Sequence, residues 1–384
     1  MRTGVLTAAG TAACLLACSD PTLTPTASDA VPLLPSFSAG TQAGCPATAD
    51  FVVSTEGQLV TALATASPGA TIALAGMIGL TAEPNVTTPN ITLTCATLGS
   101  GLFAQAGGSV LELLTISASG VAVDRLVLDG SNASDPYVAA NVDNLRLTNT
   151  TVICGPASLG GSCGFFSGTP NAVVSGNGFR STGSSTGLHM QLGIDGSRIE
   201  NNTVTTTAPS TGPVFGGLRI RDGANVVIRN NSVQGPWVSG MALVDLASSS
   251  IEHNDLTGAA LFGIRARSGF SFRPISMTND VFRNNQISGA GSAGILLTSA
   301  CGNQLFGNNL NGNAGDVGLV FDVPTGANIM VGNNNVVIDN GNFDCDGDGI
   351  ADPNTVGGPG RVSHGVGFGL PPQDAGSSAG SRLR

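Results

Sequence analysis

The chain has 384 residues, of which 55 are Gly, only 10% are charged and 4% are aromatic, and its formal net charge is −10. Ordinary soluble domains carry roughly 25% charged residues, so the surface of this chain must be built largely from Ser, Thr, Asn and Gly. All 15 basic residues are Arg, and no basic run occurs. These features exclude a nucleic-acid-binding surface, and we expect no nucleic-acid partner.

The first 18 residues have the pattern of an export signal. Arg2 precedes a short apolar run that extends to Ala17, which is typical of a secretory signal and too short to span a membrane as a mature helix. The ending Leu15-Leu16-Ala17-Cys18 resembles the lipobox of bacterial lipoproteins. This resemblance implies a lipoprotein signal peptide over residues 1–17 and acylation of Cys18.

The same resemblance places the mature protein in the bacterial cell envelope, exported and lipid-anchored at the outer membrane or the cell surface. An ordinary signal peptide followed by an incidental Cys is the alternative. No later segment is apolar enough to cross a bilayer, so we expect a monomer that contacts the membrane through its lipid anchor only. Residues 18–44 are rich in Pro, Thr, Ser and Ala without periodicity, which predicts a disordered tether.

The cysteines that follow the tether predict disulfides, because an even number in an exported chain favours pairing. Many connectivities are open to six cysteines. Cys154 and Cys163 bracket a Gly-rich excursion, so we expect them to pair. The simplest assignment of the others ties down the two ends of the domain, with Cys45 bonded to Cys95 and Cys301 bonded to Cys345.

A helix followed directly by a strand is predicted near the start of the domain. Apolar residues at positions 59, 62, 63 and 66 share one helix face, Ser54 or Thr55 can cap the helix, and Pro68-Gly69 ends it. Thr71-Ile72-Ala73-Leu74 then alternates like a strand. Such a helix would cover the open end of a repeat structure.

A short phrase recurs at steps of 23 to 31 residues: an Asn, any residue, and an apolar residue. A fixed period near 25 residues indicates a solenoid. Asn tolerates left-handed backbone, and stacked Asn side chains can bond one another between coils, so we assign the phrase a structural role. The copies begin at Asn177, Asn202, Asn231, Asn254, Asn285, Asn308 and Asn334.

The capping helix, Pro68-Gly69 and the following strand resemble the start of right-handed parallel β-helix proteins of the pectate-lyase-like kind. The repeats strengthen the resemblance, as in Gly217-Leu218-Arg219-Ile220-Arg221 followed by Val226-Val227-Ile228-Arg229-Asn230-Asn231. It implies an all-β fold, a single-stranded right-handed parallel β-helix with an N-terminal capping helix, about nine to eleven coils long, over residues 45–343. That family hosts lyases, hydrolases, epimerases, adhesins and pure scaffolds, so the resemblance is specific for fold and weak for chemistry.

Aligning the coils on the Gly that opens each strand places a group of charged and polar residues together on one outward face, in a chain that has few charges. Apolar residues alternate with them and are predicted to point inward. Trp237, the only Trp, precedes one of these strands and would supply a stacking platform beside the face. The face contains His189, Gln191, Arg219, Arg221, Asp222, Asp245, Arg265 and Arg267.

This face predicts polysaccharide binding, with Arg forks engaging carboxylate or sulfate groups and Asp accepting bonds from sugar hydroxyls. A polysaccharide-degrading enzyme on the same face is the alternative. Asp222 and Asp245 would serve a hydrolase if they stood at inverting separation, and Arg or His189 would be the base of a lyase. A structural or adhesive scaffold is the third interpretation, in which Arg and Asp neutralise one another.

The acidic segment Asp344-Cys345-Asp346-Gly347-Asp348-Gly349-Ile350-Ala351-Asp352 predicts a structural Ca²⁺ site over residues 344–355. Thr355 stands where an EF-hand loop has its bidentate Glu, so the segment looks more like the aspartate loops of thrombospondin type 3 repeats. Side chains of Asp344, Asp346, Asp348 and Asp352 and the carbonyl of Ile350 would be the ligands. Residues 356–384, rich in Gly, Ser and Pro, predict a disordered tail.

Overall fold

The fold is described from a computed structural model of the protein. All described residues lie in one compact unit, Ala39–Arg384. The predicted signal peptide, the acylated Cys18 and nearly all of the tether lie outside the described residues. The structure describes residues 44–106, 110–155, 161–183, 185–209, 216–269, 277–314, 317–331, 336–358 and 362–363.

The chain winds as a right-handed parallel β-solenoid of about 12 turns, slightly longer than the nine to eleven coils expected from the repeats. Each turn passes through three parallel sheets, which we number in the order the chain meets them. The first sheet has 13 strands. They are Phe51–Val53, Thr71–Leu74, Thr92–Cys95, Ala122–Asp124, Arg146–Thr148, Val173–Ser175, Arg198–Glu200, Val227–Arg229, Ser250–Glu252, Val281–Arg283, Gln304–Phe306, Ile329–Val331 and Thr355–Gly357.

The second sheet has nine strands and the third has 13. The second consists of Met77–Leu80, Gly101–Ala104, Val127–Gly130, Thr151–Cys154, Gly178–Ser181, Thr203–Thr206, Ser232–Gln234, Asp255–Thr257 and Gln286–Ser288. The third consists of Asn85–Val86, Glu112–Ile116, Asp135–Ala140, Ser162–Ser167, Thr186–Gln191, Gly216–Ala224, Ser239–Ala247, Phe262–Arg267, Met277–Thr278, Ala293–Cys301, Val317–Gly326, Val336–Asp339 and Val362–Ser363.

Inward apolar side chains alternate with outward side chains along each strand, and the inward ones build the core. In the third sheet Leu218 and Ile220 point inward and are fully buried, as are Met241 and Leu243 on the next coil. Neighbouring coils stack about 4.8 Å apart, so each inward column is a continuous apolar row. This confirms the all-β parallel solenoid expected from the sequence.

The N-terminal helix, Glu56–Thr65, lies over the start of the solenoid, as expected. Thr55 caps it by accepting a hydrogen bond from the Gln58 N–H. Leu59, Ala62 and Leu63 form its buried face. The helix is the single α-helix of the described residues, and within that part of the chain no helix is long and apolar enough to span a membrane.

The recurring Asn forms a buried stack between the first and second sheets. Asn254 shows the pattern: its Oδ1 accepts from the N–H and the Nδ2 of Asn231, and its own Nδ2 donates to Asn285 Oδ1 and to the carbonyl of Ile228. Thr150 heads the stack in place of Asn. The stack, which we call the asparagine ladder, contains Asn177, Asn202, Asn231, Asn254, Asn285 and Asn308.

Left-handed backbone belongs to the residue before each ladder Asn rather than to the ladder itself, as at Asn201, Asn230 and Asn284. Asn334, which begins the seventh copy of the phrase, lies outside the described residues, and Val336 of that copy begins a third-sheet strand. The expected stacking of Asn side chains is therefore confirmed for six of the seven copies.

A second stack, which we call the mixed ladder, lies between the third and first sheets. Ser249 N–H donates to Asp280 Oδ1 at 2.8 Å, and Asp280 N–H donates to Asn303 Oδ1 at 2.9 Å. Asn303 donates to Asn328, and Asn328 to Asn354. Asp280 is fully buried and is the one carboxyl among these five residues.

All three expected disulfides are present: Cys45–Cys95, Cys154–Cys163 and Cys301–Cys345. The last one ties the third sheet to the hairpin formed by Asn342–Phe343 and Asp352–Pro353. Beyond the hairpin, Thr355–Gly357 pairs with the first sheet and Val362–Ser363 with the third. The solenoid therefore continues past residue 343, where the sequence analysis ended it, and these strands lie within the segment expected to be a disordered tail.

Candidate functional site

The third sheet places the predicted Arg residues in two outward columns. In the first column His189 pairs with Arg219, Arg219 with Ala242, and Ala242 with Arg265. Aligning the coils on their glycines therefore predicts the same strand partners as the third sheet has in the structure. Met190, Ile220, Leu243 and Ala266 alternate with this column and are buried in the core.

The second column repeats the arrangement two residues further along each strand. Arg221 pairs with Val244, and Val244 pairs with Arg267. Each column thus carries Arg on two coils that are separated by one coil, roughly 10 Å apart. We call these two columns the arginine face, defined by His189, Gln191, Arg219, Arg221, Arg265 and Arg267.

Between the Arg pairs the intervening coil forms an apolar floor. Ala242 is 9% exposed and Val244 is 7% exposed, although both point outward. Both side chains are short, and the four longer Arg side chains stand on the coils on either side of them. Alternation within Gly240-Met241-Ala242-Leu243-Val244 indicates that Ala242 and Val244 point outward. The apolar floor was therefore readable from the sequence, although a pattern of charged residues alone does not indicate it.

His189 is neutral and mostly buried at one end of the face. Its side chain is 8% exposed, and its ring lies edge-on to Phe165 with 5.2 Å between the ring centroids. Burial holds the pKa of His189 well below its usual range, and the charges of Arg219 and Arg221 lower it further. Gln191 hydrogen-bonds the ring, while Nε2 has no hydrogen-bond partner among the described residues. Gln191 therefore meets the ring at Nδ1.

Asp222 and Asp245 stand next to each other on neighbouring coils at the edge of the face. Both have left-handed backbone, with φ of 55° and 54°. Burial raises the pKa of Asp222, the charge of Arg221 opposes the rise, and a hydrogen-bonding contact with the Asp245 carboxyl adds to it. Because the two carboxyls touch, the wider separation that an inverting hydrolase requires is not present. The hydrolase alternative is therefore not supported.

Trp237 is not a stacking platform, and that prediction is wrong. Its side chain is 1% exposed, and its Nε1 donates to the Gln234 carbonyl at 3.1 Å. The chain reverses at Gly235-Pro236, which turns the indole into the core below Gly217. A large apolar ring gains more from burial than from lying beside a charged surface.

Sequence reasoning missed a second row of charges, on the first sheet. Glu200, Arg229, Glu252 and Arg283 follow one another on successive coils, with Glu and Arg alternating. Arg229 contacts Glu200, and Arg283 contacts Glu252. This row neutralises itself, whereas the columns of the arginine face place Arg opposite Ala, Val, Leu or Thr.

The acidic segment forms the loop of the C-terminal hairpin. One carboxylate oxygen from each of Asp344, Asp346 and Asp348 lies within 4.8 Å of the others. N–H groups of Gly349 and Gly347 donate to Asp344 and lower the pKa of its carboxyl. Carboxylate oxygens converging in this way are the donors that Ca²⁺ prefers.

One of the four expected Asp ligands does not join this group. Asp352 lies in the strand Asp352–Pro353, and its Oδ2 accepts from the Cys345 N–H at 2.9 Å. Ile350 has an exposed side chain, and its N–H donates to Asp348. The structure therefore brings together three of the four Asp residues named from the sequence.

The fold and its repeated coils define a class of protein, the parallel β-solenoids. The family described as "Right handed beta helix region" matches residues 99–343. The chain belongs to this family. A comparison with curated protein sequences gives no match.

Solved structures agree with this family. An alginate lyase from Paenibacillus sp. superposes with a TM-score of 0.55 at 13% identity, over 70% of this chain and 96% of that one. The Dettilon tailspike protein superposes with a TM-score of 0.51 at 13% identity, over 78% of this chain and 64% of the tailspike. At such identities these likenesses show the fold alone.

Proposed function

We propose that the arginine face binds an anionic polysaccharide. The observation that carries this proposal is the arrangement of Arg219, Arg221, Arg265 and Arg267 around the floor of Ala242 and Val244. Guanidinium groups bind carboxylate or sulfate in bidentate fashion. An apolar floor between them accepts the carbon face of a sugar ring, as polysaccharide sites commonly require.

The long axis of the face agrees with a chain-like ligand. Arg residues recur on alternate coils, so anionic groups spaced along a polymer would each meet a guanidinium. The likeness to an alginate lyase shows that this fold is able to present a polysaccharide site. An open face along a sheet also suits a polymer, whereas small molecules are bound mostly in enclosed pockets.

A lyase is the second candidate, and His189 favours it. Uronate elimination needs a base that removes the proton beside the carboxylate, while cations hold the carboxylate itself. In that step the base takes the proton as the C–H bond breaks, a C=C bond forms, the C–O bond to the leaving sugar breaks, and the leaving oxygen takes a proton from the protonated base or from water. His189 is neutral and adjacent to Arg219, and with its proton on Nδ1 its Nε2 would have the chemistry of that base.

Replacing both Arg219 and Arg221 with Gln is expected to weaken polysaccharide binding at least about 100-fold, because two charge-assisted bonds of about 1.5–3 kcal/mol each are removed. Affinity electrophoresis in alginate, pectin and a sulfated glycan measures the effect. The matched control replaces Arg146 and Arg198 of the first sheet with Gln, which removes the same charge from another face. Equal retardation of the two double variants would refute the proposal, and unsaturated uronide products would identify a lyase.

We further propose that Asp344, Asp346 and Asp348 bind Ca²⁺, which would lock the C-terminal hairpin. Calcium at 100 times its dissociation constant is expected to stabilise the protein by about 3 kcal/mol, and EDTA to remove that gain. Calorimetric titration and thermal melting check this. The double variant Asp346→Asn, Asp348→Asn should neither bind Ca²⁺ nor respond to EDTA, whereas Asp255→Asn, on the second sheet, should do both. An unchanged melting temperature of the unaltered protein in EDTA contradicts a structural site.

The disulfides support a place outside the reducing cytosol. We propose that Cys18 carries the acyl chains that hold the protein at the cell envelope. Several acyl chains bind a membrane strongly, since each buried CH₂ contributes about 0.8 kcal/mol.

A further inference from the structure

We propose that Asp222 and Asp245 form a proton-sharing carboxyl pair that controls how strongly Arg221 binds anionic groups, so that anion binding at the arginine face strengthens when the pair takes up a proton. The inference rests on the proposed function, because it concerns regulation of the same site. In it, Asp222 and Asp245 are positioning residues rather than sugar ligands.

The contacts between Arg221 and the two carboxyl groups are the first observation that supports this proposal. Arg221 Nε lies 3.8 Å from Asp222 Oδ2, and this oxygen is buried without a hydrogen-bond donor among the described residues. The Asp222 carboxyl contacts the Asp245 carboxyl directly. Two ionised carboxylates in contact offer only acceptors, so a single shared proton supplies the missing donor and removes the repulsion.

The backbone holds the pair in place. The N–H of Leu192 donates to Asp222 on one side, and the N–H of Gly269 donates to Asp245 on the other. The left-handed conformation at both Asp residues turns their side chains along the solenoid axis, toward each other. Four successive coils thus meet at this pair, which lies directly beside Arg221 at the edge of the arginine face.

The second step concerns the charge that Arg221 meets. When the pair is fully ionised, two carboxylates attract Arg221 and repel an approaching anion. When it carries one proton, half of that charge is gone and the guanidinium is available to the ligand. The charged groups on the packed strands are Arg219 and Arg221 beside Asp222, and Arg265 and Arg267 on the coil after Asp245. His189, on the coil before Asp222, is titratable but neutral.

Thermodynamic linkage makes the coupling reciprocal. If protonation of the pair tightens anion binding, then anion binding must raise the proton affinity of the pair by the same factor. Binding is therefore expected to take up protons in the pH range where the pair titrates, which calorimetry in buffers of different ionisation enthalpy detects.

The test uses a sulfated glycan, since its charge stays constant from pH 5 to pH 8. Affinity of the full mature protein is expected to rise about tenfold as the pH falls through the titration of the pair, because protonation removes one unit charge beside Arg221. Asp222→Asn mimics the protonated carboxyl and tolerates left-handed backbone. This variant should bind above that titration as tightly as the unaltered protein binds below it, without pH dependence.

Controls separate the pair from other groups. His189→Gln should keep the pH dependence, and Asp195→Asn, on an exposed loop, should keep it too. In the protein without ligand, ¹³C NMR of the carboxyl groups should show the pair titrating in two well-separated steps, with Asp222→Asn abolishing the upper one.

Binding that is constant across this pH range would overturn the coupling, as would a pair that titrates in one step near the ordinary range of Asp. Absence of binding at every pH would instead refute the proposed function, and with it the regulation. The NMR titration distinguishes these failures, because it shows whether the proton is shared without any ligand present.

Discussion

Replacing Asn254 with Ala is expected to lower the free energy of unfolding by about 3–5 kcal/mol, a large effect for one polar side chain. Asn254 is fully buried in the middle of the asparagine ladder. Its removal leaves the N–H and Nδ2 of Asn231 without their acceptor and the Ile228 carbonyl without its donor. Each buried polar group left unpaired costs about 1–3 kcal/mol.

Chemical denaturation followed by circular dichroism measures this change. The matched control is Asn309→Ala, next to the ladder residue Asn308 but exposed, which should change stability by less than about 0.5 kcal/mol. Asn254→Thr should fall between the two, since Thr150 occupies the head of the ladder and accepts one bond with its hydroxyl. Equal effects at Asn254 and Asn309 would show that the ladder does not stabilise the solenoid.

Replacing Asp280 with Asn is expected to stabilise the protein by ~4 kcal/mol at pH 8 and to change little at pH 4. Burial raises the pKa of Asp280 to about 7, against an ordinary value of 3.8. Between these two values the folded state keeps a proton that the unfolded chain has released. Stability therefore falls as the pH rises from about 4 to about 7, and Asn, which never ionises, removes this loss.

The hydrogen bonding around Asp280 indicates that Asn at this position would stabilise the protein rather than leave its stability unchanged. Asp280 Oδ2 has no hydrogen-bond partner within the described part of the chain, whereas the corresponding Nδ2 of Asn303 donates to Asn328 Oδ1 and to the Met277 carbonyl. An amide at position 280 would supply such donors. Urea unfolding at several pH values tests the prediction, with Asp255→Asn as control. A variant as pH-dependent as the unaltered protein would contradict it.

Much of the fold could be predicted because the solenoid repeats its own pattern. Alternation within Gly217-Leu218-Arg219-Ile220-Arg221 assigns each side chain to the core or the surface, and the period supplies the partner coil. The capping helix was equally readable, since Thr55 and Pro68-Gly69 mark its ends. Register and fold therefore follow from local rules applied many times.

The corners between sheets were less predictable, and most of the differences between the sequence predictions and the structure lie there. Trp237 turns inward at a corner, where alternation no longer applies. Asp222 and Asp245 meet because both adopt left-handed backbone, which the strand pattern alone does not indicate. The mixed ladder went unnoticed because Ser249, Asp280 and Asn303 share a position without sharing a residue type.

The two ladders also give the solenoid an electrical polarity. Each amide from Asn177 to Asn285 donates one Nδ2 hydrogen to the Oδ1 on the next coil and the other to a backbone carbonyl of the coil before. Every Oδ1 from Asn202 to Asn308 accepts from the coil before it, so the side-chain carbonyl groups share one direction along the axis, as peptide carbonyls do in a helix. The mixed ladder ends at its positive pole on Asn354, whose Nδ2 meets the Asp339 carboxylate at 2.9 Å. Asp280 accepts from the Ser249 N–H on the coil before, and its own N–H donates to Asn303 Oδ1 on the coil after, so the row keeps its direction where the residue type changes. Because these rows of hydrogen bonds have a direction, coils taken from opposite ends of this solenoid are not interchangeable.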